Sequence, residues 1–443
     1  MKDDLARVAA VRDAFPPQGL FAAKEWLLSP RAFALSGEFI DELEKLGYRL
    51  HLFQRACNLL YQLSVKGKQP AWIARYLDLG KPPELVALSR ERIFRDDIAR
   101  VIRPDVILTD HGFTIAELDT VPGGIGLTAW LNQTYAALGD DVVGGASGMH
   151  DGFAEILPCG ASIVIAEEAA TYQPEMQWLS AQLNARPSAE NLKPEWQVLA
   201  AADPAAATIE QGNVYRFFEH FDLANVPAAP ALMQAAREGK ISITPPFKPY
   251  LEEKLWFALF WLRPLRDFWR RELGERHWLK LQAVIPYTWI LDPAPLPHHA
   301  VIPGLEINDW RELGAFSQRE RNLILKISGY SELAWGSRGV DLAADLSHGA
   351  WRAAIERALE RFAHNPMILQ KFHKGRLVEH PYLDPRTDEI VPLRGRARLC
   401  PYYFLINGKA KLRGVLVTIV PADKKLIHGM RDAVIVPAAE VSA

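Results

Sequence analysis

The sequence predicts a mixed α/β (α+β) protein with a helical N-terminal region, a small parallel-sheet subdomain and a strand-rich C-terminal portion. Three observations carry this prediction. Apolar residues recur at three-and-four spacing between Ile40 and Leu60, short apolar strands alternate with helices between Ser162 and Phe218, and further strand patterns crowd the chain after Leu279. The composition supplies the core: 443 residues, 49% hydrophobic and 23% charged, which excludes disorder over most of the chain.

In chain order, Ser36 can cap a helix whose buried face carries Ile40, Leu43, Leu46, Leu50, Phe53, Cys57 and Leu60. Helical pieces at 71–79 and 84–93, punctuated by Lys81-Pro82-Pro83, complete a helical region over 1–100. Residues 101–150 read as a hairpin and a glycine turn. Residues 151–245 alternate strand (162–166), helix (173–183) and strands (196–199, 214–218), with an Ala/Pro-rich surface loop at 201–207. Residues 246–443 begin with an aromatic helix (251–271) and add strands at 279–285, 323–327, 367–370, 401–406 and 412–419 and an amphipathic helix at 351–364. Trp256, Phe257, Phe260, Trp261, Phe268 and Trp269 follow helical spacing and read as core, as do Cys57 and Cys159.

Charge narrows the partners. Lys+Arg number 51 against 53 Asp+Glu, a formal charge of −2, so no basic excess points to nucleic acid or anionic membrane. Three scattered cysteines make neither a disulfide framework nor a Cys-built zinc site and fit a reducing compartment. The start, Met1-Lys2-Asp3-Asp4, lacks the basic and apolar features of a secretory signal, and the most apolar stretch, 255–262, is too short to span a bilayer. The expectation is a soluble, cytoplasmic protein. His298 and His299, in a Pro-rich loop, read as surface rather than as metal ligands.

The chemistry concentrates in 102–119. Asp110-His111-Gly112 suits a three-residue hairpin loop; with Thr109 opposite Phe113, Asp105 falls opposite Glu117 and Arg103 opposite Asp119. All four side chains then share one face. Three carboxylates so placed repel one another unless something neutralises them, and Mg²⁺ takes oxygen ligands of this kind. A solvent-exposed charged face is the plain alternative. Further on, Lys248 follows Pro245-Pro246-Phe247, and Lys326 ends a strand before a loop carrying Ser328, Gly329, Ser331, Gly336, Ser337 and Gly339. Glycine backbone can cradle phosphate with lysine as counter-charge, or the segment is simply a loop; neither a P-loop nor a dinucleotide fingerprint is present.

Taken in order, these pieces resemble the circularly permuted ATP-grasp ligases of the glutathionylspermidine synthase type. Arg103-Pro104-Asp105 followed by Glu117-Leu118-Asp119 resembles the family's Arg-x-Asp and Glu-x-Asn, with Pro122-Gly123-Gly124 as its small-residue turn. Pro245-Pro246-Phe247-Lys248 resembles Pro-Pro-Trp-Lys, Lys254 its second lysine, Lys326 and 328–339 its strand lysine and glycine flap, and Gln370 its hinge beside adenine. The resemblance covers roughly 100–420, with Asp119 in place of Asn and Ile327 in place of Pro, and residues 1–100 do not match the family's amidase domain.

The resemblance implies a permuted ATP-grasp fold, with 151–245 as its pre-ATP-grasp subdomain, and ATP and Mg²⁺ as cofactors. It implies Arg103 as catalytic, Asp105, Glu117 and Asp119 as metal ligands, and Lys248, Lys326, Ser328, Gly329, Gly336 and Gln370 at the nucleotide. Arg398 either reaches ATP phosphates or belongs to a solvated basic turn with Arg394 and Arg396, and Glu167, Glu168 and Tyr172 either face an acceptor or sit at a helix start. The implied activity is ATP-dependent carboxylate–amine ligation through an acylphosphate, with small-molecule or peptide carboxylate and amine as substrates. An ATP-grasp phosphotransferase and a catalytically silent nucleotide-binding protein are the alternatives.

Overall fold

The helix that starts after Ser36 runs Gly37–Val65, and Ser36 Oγ accepts from the Phe39 amide at 3.4 Å. Leu43, Leu46, Leu50, Phe53, Cys57 and Leu60 are buried, as the spacing requires, while Ile40 in the first turn is only half-buried. This computed structural model describes residues 2–21, 25–186, 195–334, 338–427 and 432–441. The chain divides into two units: 1–52, 92–247 and 375–443 form the first, and 53–91 and 248–374 the second.

The first unit holds two sheets. One is seven-stranded, in the order Phe33–Leu35, Val434–Glu440, Lys409–Pro421, Glu389–Ile406, Val101–Thr109, Gly112–Asp119, with Leu377–Asp384 also paired to Glu389–Ile406. The first of these pairings is parallel and the rest antiparallel. Asn407 and Gly408, with φ of 49° and 73°, close the two-residue turn between its longest strands, a conformation that favours these two residue types. The alternating segments of the sequence form the other sheet, four parallel strands in the order Glu195–Ala200, Gly160–Ile165, Gly212–Phe217, Ile241–Thr244.

The second unit has a four-stranded antiparallel sheet in the order Val340–Leu342, Leu323–Ile327, Met367–Lys371, Thr288–Ile290. Leu323, Leu325, Ile327, Met367, Leu369 and Trp289 pack with Trp351, Ala354, Ile355, Ala358 and Leu359 of helix His348–Arg361 in one hydrophobic core. Alternation therefore puts Lys326, Gln370 and Thr288 together on the opposite face.

Several local expectations give way. The helix expected over 251–271 is broken into Leu255–Trp261 and Arg266–Leu273, because Pro264 cannot continue an α-helix. The strand expected at 279–285 is the helix Glu275–Val284; Leu279, which supplied the apparent alternation, is 51% exposed, while Trp278 and Leu281 are buried. Cys159 is exposed rather than core, in a turn where it takes φ 72°. The loop at 201–207 contains a short helix, Pro204–Ala207, capped by Asp203. Arg394, Arg396 and Arg398 lie inside the 18-residue strand Glu389–Ile406, not in a solvated turn. Among the described residues no helix is long and apolar enough to cross a membrane.

Candidate active site

The acidic hairpin reaches its expected pairing by another route. Thr109 pairs with Gly112, so the turn has two residues rather than three, and the register then shifts between Asp105 and Val106. Val106 opposes Ile115 and Asp105 opposes Glu117, leaving Ala116 as the extra residue of a β-bulge. The bulge restores what the shorter turn removed. Arg103 accordingly opposes Asp119, and Asp105 opposes Glu117.

Arg103 is the hub of this cluster. Its Nη2 lies 2.8 Å from Asp119 Oδ2 and 3.5 Å from Asp105 Oδ1, and its Nη1 donates to the Gly123 carbonyl at 3.1 Å. The neighbouring strand adds Arg398, whose Nη1 donates to Asp105 Oδ2 at 3.0 Å, and Cys400, whose Sγ is 3.4 Å from Asp105 Oδ1. Burial works against the Arg103 charge, but Asp119 and Asp105 outweigh it and hold the guanidinium protonated. Burial and the adjacent Asp105 push the Cys400 thiol up to about 12, so it stays neutral. The side chains of Arg103 and Asp119 retain 17% and 26% exposure.

A glycine turn completes the arrangement. The Gly123 carbonyl also accepts from Tyr402 OH at 2.6 Å, which fixes the acceptor that Arg103 uses. A Cβ on Gly123 would stand 2.2 Å from the Tyr172 ring, so only glycine fits there. The buried Glu175 carboxylate accepts from the Gly124 and Leu127 amides at 2.7 Å each, capping helix Ile125–Ala137. Tyr172, which ends the short helix Glu167–Tyr172, thus packs on the turn that holds Arg103. Neither Glu175 nor Tyr402 stood out in the sequence, because both act through contacts distant along the chain.

The oxygen-only donor set of Asp105, Glu117 and Asp119 suits Mg²⁺ in kind. Asp105 and Asp119 nevertheless accept from guanidiniums, and among the described residues no group of three or more His, Cys, Asp or Glu side chains is arranged to hold a metal ion.

The second unit gathers the lysines. Lys326 Nζ donates to Gln370 Oε1 at 3.0 Å, and Gln370 Nε2 donates to Thr288 Oγ1 at 3.2 Å. Lys248 Nζ donates to Asn58 Oδ1 at 3.0 Å, an oxygen that also accepts from Tyr250 OH at 2.7 Å. Both lysines are buried. Ser328 joins the two stretches: its carbonyl accepts from the Lys254 amide at 2.8 Å and its Oγ from the Leu255 amide at 2.9 Å, while that Oγ donates to Glu253. Gly329 is needed because a Cβ there would stand 2.8 Å from the Glu253 carboxylate. Lys254 Nζ reaches the Ala334 carbonyl at 2.7 Å. Gly336 lies outside the described residues. Asn58, Lys81 and Glu253 were not singled out in the sequence, where Lys81 gave only a Lys-Pro-Pro turn signal.

No family model matches the chain, and no curated protein matches it. Among solved structures it is similar to a glutathione synthetase-like effector from Globodera pallida in apo form, with TM-score 0.57, 11% identity, and coverage of 99% of this chain and 97% of that one. It is also matched to a protein of Methylobacillus flagellatus KT provisionally named a gamma-glutamylcysteine synthetase, with TM-score 0.42, 13% identity and 88% coverage of each chain. At this identity the first likeness is one of fold: this chain is folded like that glutathione synthetase-like effector.

Proposed function

We propose that the protein is an ATP-dependent carboxylate–amine ligase, joining a small-molecule or peptide carboxylate to an amine. The observation that carries the reading is the convergence of Arg103, Asp105 and Asp119 on one hairpin face, opposite Glu117 and beside the Gly123 turn. A synthetase-like fold supports it. In this reading Lys248 and Lys326 meet nucleotide phosphates as mobile point charges. Arg103 meets the negative charge that builds as a carboxylate takes the γ-phosphoryl group and an amine then displaces phosphate. Asp105, Glu117 and Asp119 would hold Mg²⁺, which when bound offsets phosphate charge. Tyr402 holds the carbonyl that orients Arg103.

The test is phosphate release from Mg·ATP, screened against pooled amino acids, polyamines and short peptides. Release that requires both a carboxylate and an amine, with an amide product by mass, is expected. ADP formation without amine and without phosphate release, leaving a phosphorylated carboxylate, makes the protein a phosphotransferase. One observation favours a silent nucleotide-binding protein, namely that guanidiniums engage two of the three carboxylates a metal would need. ATP binding with no turnover under any condition is the outcome that establishes it.

A further inference from the structure

Glu253 sits at the centre of a buried polar junction that the proposed chemistry leaves unused. Lys81 Nζ lies 2.5 Å from Glu253 Oε1, and the two side chains are 1% and 2% exposed. The other carboxylate oxygen accepts from Ser328 Oγ. Burying such a pair costs desolvation that well-packed apolar side chains of similar volume avoid, so stability alone is a weak reason to have it.

What the pair touches supplies a better reason. Ser328 is the first residue after the strand Leu323–Ile327, two positions beyond Lys326. Its amide donates to the Pro366 carbonyl at 3.0 Å, its carbonyl accepts from Lys254, and its hydroxyl links the Leu255 amide to Glu253. Gly329 lies against the same carboxylate. The root of the glycine loop is therefore fixed to Glu253, which also lies in the segment that carries Lys248 and Lys254. Lys81 in turn fixes Glu253 from the turn between helices Ala71–Asp78 and Pro83–Ser89. The aromatic ring of Tyr330, in the same loop, lies 5.6 Å from Lys81 Nζ.

We propose that the Lys81–Glu253 pair is a positioning device that sets Ser328, Gly329 and Lys326 for the outer phosphates of a nucleoside polyphosphate. This rests on the nucleotide reading above and adds residues to it. Glu253 itself touches no phosphate; it acts through Ser328. A loop aimed at the outer phosphates gives a signature that a merely structural junction lacks: its disturbance weakens ATP and ADP binding and leaves AMP binding alone.

The experiment uses the full chain in two variants, Ser328→Ala and the double substitution Lys81→Met with Glu253→Met. Thermal unfolding and calorimetric affinity for ATP, ADP and AMP are measured for each. The apolar double variant should unfold at or above the parental temperature. Both variants should lose about 10-fold or more in ATP and ADP affinity, the scale of a lost hydrogen bond to a charged group, with AMP affinity unchanged. ATP affinity equal to the parent's in a folded variant of either kind overturns the proposal, as does an equal loss for AMP. If the double variant does not fold, Ser328→Ala decides alone. A parent chain that binds no adenine nucleotide overturns the nucleotide reading, and this inference falls with it.

Discussion

In the first unit buried charge is carried by forks: Arg103 and Arg398 both reach Asp105, and Arg103 also reaches Asp119. In the second the buried lysines act as points, with Lys326 on the Gln370 amide, Lys248 on the Asn58 amide and Lys81 on the Glu253 carboxylate. A guanidinium holds two oxygens in fixed geometry, whereas an ammonium on a neutral amide can exchange that partner for an anion at little cost. In the function proposed above, the first cluster would orient and the second would capture the ligand. Two cationic residue types of equal charge thus suit different work because of the shape of their charged groups.

That contrast can be broken most severely at Glu253. Glu253→Ala leaves the Lys81 ammonium buried and unpaired, and should destabilise the protein by about 3–5 kcal/mol in urea unfolding. A loss near zero would mean that water or another group takes over the pairing. Next comes Arg103→Lys. If Arg103 meets charge that appears only during reaction, turnover should fall about 10²–10³-fold while melting temperature and ATP affinity hold. Full turnover in the lysine variant would reduce Arg103 to a salt bridge. Lys248→Ala and Lys326→Ala should each weaken ATP binding by roughly 10–100-fold in calorimetry, the range for a charge-assisted contact. Unchanged affinity in both would move the nucleotide elsewhere.

The smallest effect uses acid, to which the first unit is exposed through His380. Burial, against Phe33 and with Nε2 2.9 Å from Ser29 Oγ, lowers its pKa from 6.5 to about 4. The unfolded chain therefore takes up a proton that the folded chain refuses until near pH 4. Stability is full above pH 6.5 and is lost as pH falls through the window between those values. From pH 6.5 to 5.5 the loss should be about 1 kcal/mol. His150, likewise lowered to about 4 by burial, adds a similar amount. Denaturant midpoints at the two pH values, compared with His380→Gln, check this; a variant as acid-sensitive as its parent removes His380 from the account.

How much of this was legible in the sequence depends on distance along the chain. Strand 323–327 and the alternating segments of the parallel sheet were readable because periodicity is local. Glu275–Val284 was not, since Leu-Lys-Leu-Gln satisfies strand and helix patterns alike and only packing chooses between them. In the site, Arg103 and its carboxylates were paired correctly by counting only because two misreadings cancelled: the turn is one residue shorter than counted and the bulge at Ala116 makes up the difference. Arg398 meets Asp105 across 293 positions and Glu253 meets Lys81 across 172, and no spacing rule reaches that far. The strand extending through Arg394 and Arg396 was missed for a related reason: alternate charged residues hide a strand from any hydrophobic pattern, although here it is paired on both sides.

The bulge at Ala116 has a consequence for how this chain can change over time. A hairpin with one surplus residue has a place to absorb a deletion. Losing the surplus residue while the two-residue turn at 110–111 is kept leaves Asp105 opposite Glu117 and Arg103 opposite Asp119 in a hairpin one residue shorter. Length variation at the bulge is thereby decoupled from the pairing of the charges at the base. Descendants of this chain can differ in hairpin length and keep the same four side chains facing one another, so an aligned gap in this hairpin is no sign of a lost site.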